Sequence, residues 1–136
     1  MRYEGRIFRP PSEANSLLLQ ATIGCSHNRC TFCSMYREKT FRVRPTADVI
    51  ADIEAARAHG PAYDRVFLCD GDALTLSTNR LLPILEAIRE NLPWVRRVGV
   101  YGDTRSVLSK DVAELCALRD AGLGIVYHRL ESGDDE

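Results

Sequence analysis

The sequence predicts an α/β fold with a parallel sheet, and three observations support this prediction. Apolar strand-like runs alternate with amphipathic helical segments along the chain. The connections between successive strands are long enough to hold a helix, as parallel neighbours require. A hydrophobic content of 45% and 136 residues are ordinary for one globular core. We therefore expect one core domain, with residues 1–15 as an N-terminal extension.

The first half of the chain predicts two strands and one helix. Residues 16–23 (SLLLQATI) form a short apolar run typical of a buried strand. A helix is predicted from Thr46, its N-cap, to about His59, before the stop signal at residues 60–61 (Gly-Pro). Residues 65–69 (RVFLC) are the second strand. A helix between two apolar strands indicates a parallel crossover.

The second half repeats this order. A helix is predicted from about Thr78 to Asn91, followed by a third strand at residues 97–101 (RVGVY). Ser109 is predicted to cap the next helix, which Gly122 ends. Its apolar stripe contains Val112, Leu115, Cys116 and Leu118. Residues 124–130 (GIVYHRL) are the fourth strand.

Four strands and three crossover helices indicate the front of a larger barrel, with a small open sheet as the alternative. An eight-stranded (β/α) barrel takes about 250 residues, so a six-stranded version needs roughly 190. The sequence therefore predicts the first four strands of a partial (β/α)6 barrel similar to a TIM barrel. The last strand would be an exposed edge, so either the chain is a fragment or self-association covers that edge.

The strongest chemical signal is the loop CSHNRCTFC, which holds Cys25, Cys30 and Cys33. Three thiols without a fourth in the loop indicate a metal centre with one open position. Five cysteines are an odd number and fit a reducing compartment with metal ligation better than disulfides. No signal peptide and no run of about 18 apolar residues are present, so we expect a cytoplasmic protein without membrane association.

Charge is unevenly spread along the chain. Residues 1–44 carry eight Arg or Lys against three Glu, a net of +5, and the remainder carries ten against sixteen, a net of −6. No aromatic ladder accompanies the basic part, which disfavours nucleic-acid binding. Basic side chains near the cysteines would instead stabilise an anionic thiolate cluster: Arg29, Arg37, Lys39, Arg42 and Arg44.

Polar residues follow each predicted strand at its carboxyl end, where parallel α/β folds bind ligands. The cysteine loop follows the first strand, residues 70–72 (Asp-Gly-Asp) the second, residues 101–104 the third, and Glu131 and Ser132 the fourth. All four segments should lie on one rim of the sheet. The sequence therefore predicts a single composite site.

These residues resemble the radical S-adenosylmethionine (SAM) superfamily. The similarity runs from about residue 16 to the end and is carried by IGCSHNRCTFCSMYREKTFRVRP, DGDALTLS and LESGDDE. The cysteine spacing here is C-x4-C-x2-C, whereas C-x3-C-x2-C is the commoner spacing in the superfamily. The sequence in this respect resembles a branch labelled Fe–S oxidoreductases or coproporphyrinogen-oxidase-like proteins.

The resemblance implies an enzyme that cleaves SAM reductively to a 5′-deoxyadenosyl radical, acting on a substrate that the sequence does not specify. Cys25, Cys30 and Cys33 match the ligands of a [4Fe–4S] cluster, a group held by cysteine thiolates. The matching SAM contacts are Phe32 for the adenine, Asp70, Gly71 and Asp72 for the amino group, and Glu131 and Ser132 for the ribose or methionyl part.

Three further implications concern partners and completeness. The family's electron donors imply a low-potential partner of the flavodoxin or ferredoxin type. Later strands supply most of the family's substrate pocket, so we expect a chain of this length to turn over little alone. Arg129 stands where the branch has a small residue, and it would pair with Glu131, pair with a SAM carboxylate, or block the site.

Three alternatives remain open at this point. His27 with the three cysteines would make a Cys3His set suited to structural zinc. Cys69 would complete the ligand spacing of a plant-type [2Fe–2S] ferredoxin. The third alternative is an inactive fragment without SAM chemistry. Unless Cys69 is such a ligand, we expect Cys69 and Cys116 to be core residues, since free cysteines are commonly buried.

Overall fold

A computed structural model describes residues 10–24, 42–70 and 73–128 of the chain. The strands there are β1 (Leu17–Gln20), β2 (Thr22–Ile23), β3 (Arg42–Val43), β4 (Arg65–Cys69), β5 (Arg97–Gly102) and β6 (Leu123–His128). The α-helices are α1 (Thr46–Ala56), α2 (Thr78–Asn91), α3 (Thr104–Leu108) and α4 (Val112–Asp120). Short 3-10 segments occupy Pro11–Glu13, Arg57–Ala62 and Ala73–Thr75.

The four longer strands form one parallel sheet in the order β1-β4-β5-β6. Leu17 pairs with Val66, Val66 with Val98, and Val100 with Val126. Neighbours in the sheet are thus successive strands of the α/β order, as the sequence predicts. Among the described residues β6 pairs with β5 alone, which leaves its other side as a sheet edge.

Helices cover one face of this sheet. Val66, Leu68, Val98 and Val100 are buried there against apolar residues of α1, α2 and α4. Strand alternation turns Phe67, Tyr101 and Tyr127 toward the opposite side, which we call the aromatic face. Their rings meet edge to face, with centroids 5.2 Å apart for Phe67–Tyr101 and 6.0 Å for Phe67–Tyr127.

The predicted first strand is divided into two. Residues 17–20 pair with β4, whereas β2 pairs antiparallel with β3 to form a separate two-stranded ribbon. Ala21 lies at the junction, and its N–H donates to the Cys69 carbonyl oxygen at 2.7 Å. The chain therefore leaves the sheet just before the cysteine loop and returns to the same point after it.

The predicted helix boundaries need three corrections. Thr46 is the first residue of α1 and not its cap, and α1 ends at Ala56 before a 3-10 segment in which Gly60 has a φ of 61°. Ser109 ends the unpredicted short helix α3, and Asp111 caps α4 by accepting the Glu114 N–H at 2.7 Å. A carboxylate one residue before the helix captures that N–H, so the helix begins there.

The predicted apolar stripe of the last helix is only partly correct. Leu118 is fully buried, but Val112 in the first turn of α4 is 76% exposed. Leu115 and Cys116 are half-buried, so Leu118 is the one residue of α4 that is fully in the core.

Candidate functional site

The carboxyl ends of β1, β4, β5 and β6 lie together at one rim of the sheet, as parallel pairing requires. Of the residues predicted to bind the cluster or SAM, Asp70 belongs to the described part of the chain. The others lie outside the described residues, as does Arg129: Cys25, Cys30, Phe32, Cys33, Gly71, Asp72, Glu131 and Ser132. The structure thus describes the residues on either side of the cysteine loop. We call residues 20–24 before it and 42–44 after it the frame of the loop.

Asp70 holds this frame from the end of β4. Its Oδ2 accepts the Gly24 N–H at 2.8 Å and a hydrogen bond from Gln20 Nε2 at 3.1 Å. Its own N–H donates to the carbonyl oxygen of Thr22 at 3.0 Å and to Thr22 Oγ1 at 3.1 Å. Asp70 is 0% exposed. We call Gln20, Thr22, Gly24 and Asp70 the rim network.

Arg44 holds the other end of the loop, where the chain returns. Its N–H donates to the Ala21 carbonyl oxygen at 3.1 Å. Its Nη1 donates to the Gln20 carbonyl oxygen at 2.6 Å and to Asp52 Oδ2 at 2.9 Å. The Arg44 and Asp52 side chains are each only 7% exposed, so this is a buried ion pair between the ribbon and α1.

The frame suits a loop that binds a metal group. Gly24 immediately precedes Cys25, and Arg42 immediately follows the segment 25–41, so both ends of the segment are fixed at the rim. Within the described ranges no group of three His, Cys, Asp or Glu residues could hold a metal ion. The candidate ligands are the three thiols of the segment itself, and thiolates are suitable donors for iron–sulfur clusters.

Two more polar contacts lie where β5 and β6 end. Thr104 Oγ1 is 2.9 Å from His128 Nε2, joining the start of α3 to the end of β6. Lys110 Nζ donates to the Leu74 carbonyl oxygen at 2.6 Å and is almost fully buried. Leu74 follows the predicted Asp-Gly-Asp motif closely, so Lys110 fixes the chain on the far side of that motif.

A second polar cluster lies on the aromatic face of the sheet. Glu13 is 0% exposed and accepts hydrogen bonds from Arg97 Nη2 at 2.8 Å, from Tyr127 Oη at 2.6 Å and from Ser16 Oγ. Burial raises the pKa of the Tyr127 phenol above its ordinary value of 10.0, and the hydrogen bond to Glu13 raises it further. Glu13 thus ties the predicted N-terminal extension to the sheet.

The sequence alone did not predict a role for several of these residues. Asp52 lies three residues after Val49 and four before Ala56, on the buried side of α1, which could have marked it as a paired buried acid. Gln20, a polar residue ending an apolar run, was a similar signal. Glu13 offered none, because its partners are 84 and 114 residues away.

The other two cysteines differ in burial. Cys69 is fully buried at the end of β4, as expected for a core residue, whereas Cys116 on α4 is half-buried. No helix in the described segments is long and apolar enough to cross a membrane.

Comparison with known proteins supports the resemblance stated above. Residues 19–136 match the family model of the radical SAM superfamily, a range that includes the cysteine loop, the rim and all of the sheet except the first two residues of β1. Comparisons with curated proteins and with solved structures gave no match. Because the matching range covers most of the chain, the protein belongs to the radical SAM superfamily.

Proposed function

We propose that this protein binds a [4Fe–4S] cluster through Cys25, Cys30 and Cys33 and binds SAM beside it. The proposal includes the C-x4-C-x2-C branch of the superfamily. The observation that carries it is the fixed frame at the rim: Asp70 and Arg44 hold the two ends of the segment that contains the three thiols. The superfamily match over residues 19–136 includes this segment.

When bound, the reduced cluster supplies the electron that cleaves SAM to methionine and a 5′-deoxyadenosyl radical. The chain's own residues bind and orient. We assign the SAM amino group to the segment of Asp70, Gly71 and Asp72, the adenine to Phe32, and the ribose or methionyl part to Glu131 and Ser132. Asp70 accepts both of its described hydrogen bonds on Oδ2, and in our proposal it shares the contact to the SAM amino group with Gly71 and Asp72.

The aromatic face is the proposed interior of a (β/α)6 barrel. Helices cover the other face, as they do outside a barrel, and β6 has an edge to which a fifth parallel strand could be added. A second copy of the chain is the alternative partner for that edge. A low-potential flavodoxin- or ferredoxin-like electron donor and a cytoplasmic location complete the proposal.

Electron paramagnetic resonance (EPR) tests the cofactor assignment. The full chain is reconstituted anaerobically with iron and sulfide, reduced, and measured with and without SAM. We expect a [4Fe–4S]⁺ signal that changes when SAM is added. A [2Fe–2S] spectrum, or stoichiometric zinc without iron uptake, would contradict the proposal.

Cysteine variants test the ligand assignment. Cys30→Ala should abolish a stable cluster, whereas Cys116→Ala should retain it because Cys116 lies on α4, outside the loop. Cys69→Ala tests the [2Fe–2S] alternative. The variant should lose its cluster if Cys69 is a ligand, and should keep the proposed [4Fe–4S] cluster if it is not. Full iron content in Cys30→Ala would refute the assignment.

A further inference from the structure

We propose that Asp70 is a positioning residue for the cysteine loop. It acts through the main chain of Gly24, the residue directly before Cys25. The Gly24 N–H to Asp70 Oδ2 hydrogen bond is 2.8 Å long and joins residues 46 positions apart. Its meaning for a cluster rests on the proposed function, but the fixing of Gly24 does not.

The bond is strong because of its surroundings. A carboxylate accepts hydrogen bonds more strongly than a neutral oxygen, and Asp70 is 0% exposed, so water does not compete for it. Gln20 Nε2 donates to the same oxygen at 3.1 Å and orients it. The Asp70 main chain is itself fixed, because its N–H donates to Thr22. The acceptor therefore meets Gly24 at a defined point beyond the end of β1.

The second end of the loop is fixed by a different set of hydrogen bonds, which reach Thr22, Ile23 and Gln20 rather than Gly24. Thr22 pairs with Val43 and Ile23 with Arg42. Arg44 then bonds to the Gln20 carbonyl oxygen and to Asp52. The entropic cost of bringing the two ends of the loop together is therefore incurred on folding and not on metal binding. Releasing Gly24 should loosen the first ligand while leaving the sheet intact.

Iron retention is the first test, made on the full reconstituted chain. Iron release to an excess of chelator is compared among wild type, Asp70→Ala, Asp70→Asn and Glu13→Gln. Because loss of a residue that orients a metal ligand commonly costs about 10- to 100-fold in metal affinity, we expect release from Asp70→Ala to be faster by a similar factor. Asp70→Asn keeps an acceptor oxygen without the charge and should lie between. Glu13→Gln alters a buried carboxylate whose hydrogen bonds come from Arg97, Tyr127 and Ser16 and not from the rim network, so this variant should release iron like wild type.

Hydrogen exchange is the second test and needs no metal. The exchange rate of the Gly24 amide is measured by NMR in the metal-free full chain. The Ala21 amide, which donates to the Cys69 carbonyl oxygen at 2.7 Å, is an internal control that does not bond to Asp70. We expect faster exchange at Gly24 than in wild type in both Asp70 variants, with Ala21 unchanged. A purely structural role for Asp70 would raise exchange at both amides together.

These measurements separate failure of the inference from failure of the proposed function. If the wild type takes up no iron–sulfur cluster, the proposed function fails and the Gly24 exchange rate still decides the positioning role. If Asp70→Ala does not fold, Asp70→Asn decides it by the same measurement. Unchanged exchange at Gly24 in a folded Asp70 variant would overturn the inference.

Discussion

Arg97 Nη2 donates to Glu13 Oε1 across 2.8 Å, linking β5 to a 3-10 turn 84 residues earlier in the chain. The Glu13 side chain is 0% exposed, whereas that of Arg97 is 32% exposed. The carboxylate therefore depends on its protein partners for stabilisation, while the guanidinium retains some water.

This asymmetry predicts the effect of Glu13→Gln. The variant keeps the shape of the side chain but loses the charge that strengthens the bonds from Arg97 and Tyr127. We expect the free energy of unfolding to fall by about 1–3 kcal/mol, measured by urea denaturation. Glu54→Gln, at an exposed position of α1, is the matched control and should change it by less than about 0.5 kcal/mol. Equal effects of the two variants would show that the Glu13 cluster adds no stability.

Tyr127 predicts a dependence of stability on alkaline pH. Burial and the Glu13 hydrogen bond raise its pKa in the folded state above 10.0, so the folded chain holds the phenol proton more tightly than the unfolded chain does. The resulting stabilisation is fully present below pH 10 and is lost as the pH rises through the higher folded value.

Tyr127→Phe should therefore flatten the decline in stability above pH 10. Denaturation measured at several alkaline pH values tests this, together with the absorbance of the phenolate. Tyr63→Phe is the control, since the Tyr63 ring packs edge to face against His59. An unchanged slope in Tyr127→Phe would assign the alkaline sensitivity to other groups.

The buried Arg44–Asp52 pair predicts a large cost for removing one partner. Asp52→Ala leaves the charge of a nearly buried guanidinium without its carboxylate, so we expect a loss of about 3–5 kcal/mol. Asp64→Ala removes the carboxylate facing Arg96, a pair 3.8 Å apart with side chains 81% and 51% exposed, and should cost less than about 1 kcal/mol.

A double variant separates charge from packing at this pair. Arg44→Met with Asp52→Leu removes both charges and keeps apolar volume, so its unfolding free energy should lie closer to wild type than that of Asp52→Ala. Urea denaturation of the three chains measures this. A double variant less stable than Asp52→Ala would show that the hydrogen bond to the Gln20 carbonyl oxygen outweighs the ion pair.

The sequence correctly predicted those strands and helices whose limits are set by neighbouring residues in the chain. The bounds of β4 and α2 agree with the sequence analysis, because turn residues flank an apolar run in the first and periodic leucines mark the second. The break at Ala21 was missed, since the ribbon forms with Arg42–Val43, which the sequence separates from it by the cysteine loop. Helix α3 was missed because it is one short turn capped by Asp103.

The candidate site likewise has some parts that the sequence predicted and others that depend on contacts between distant residues. The cysteine spacing and the Asp-Gly-Asp motif were visible in the sequence because they are contiguous. The hydrogen bond from Gly24 to Asp70 and the ion pair of Arg44 with Asp52 follow from how β1, β4 and α1 meet. Arg44 was expected to stabilise an anionic cluster, and its guanidinium bonds to Asp52, a buried acid whose only sequence signal was its place on the apolar side of α1.

Gly102 predicts a packing constraint at the same rim. A Cβ at this position would lie 2.7 Å from Leu74 Cδ2 and 3.0 Å from Val126 Cγ1, closer than van der Waals contact allows. Leu74 is fully buried and has little room to move. Gly102→Ala should therefore lower the free energy of unfolding by about 1–3 kcal/mol through overpacking.

Two comparisons identify this cause. Gly60→Ala meets no atom within 4 Å, but a φ of 61° with a ψ of −157° is a conformation essentially confined to glycine, so its cost of about 1–3 kcal/mol comes from the backbone alone. Adding Leu74→Ala should partly relieve Gly102→Ala and leave Gly60→Ala unchanged, because only the first shares a contact with Leu74. Denaturation of the single and double variants gives the coupling energy. If Gly102→Ala and Leu74→Ala were additive, the clash with Leu74 would not be the cause.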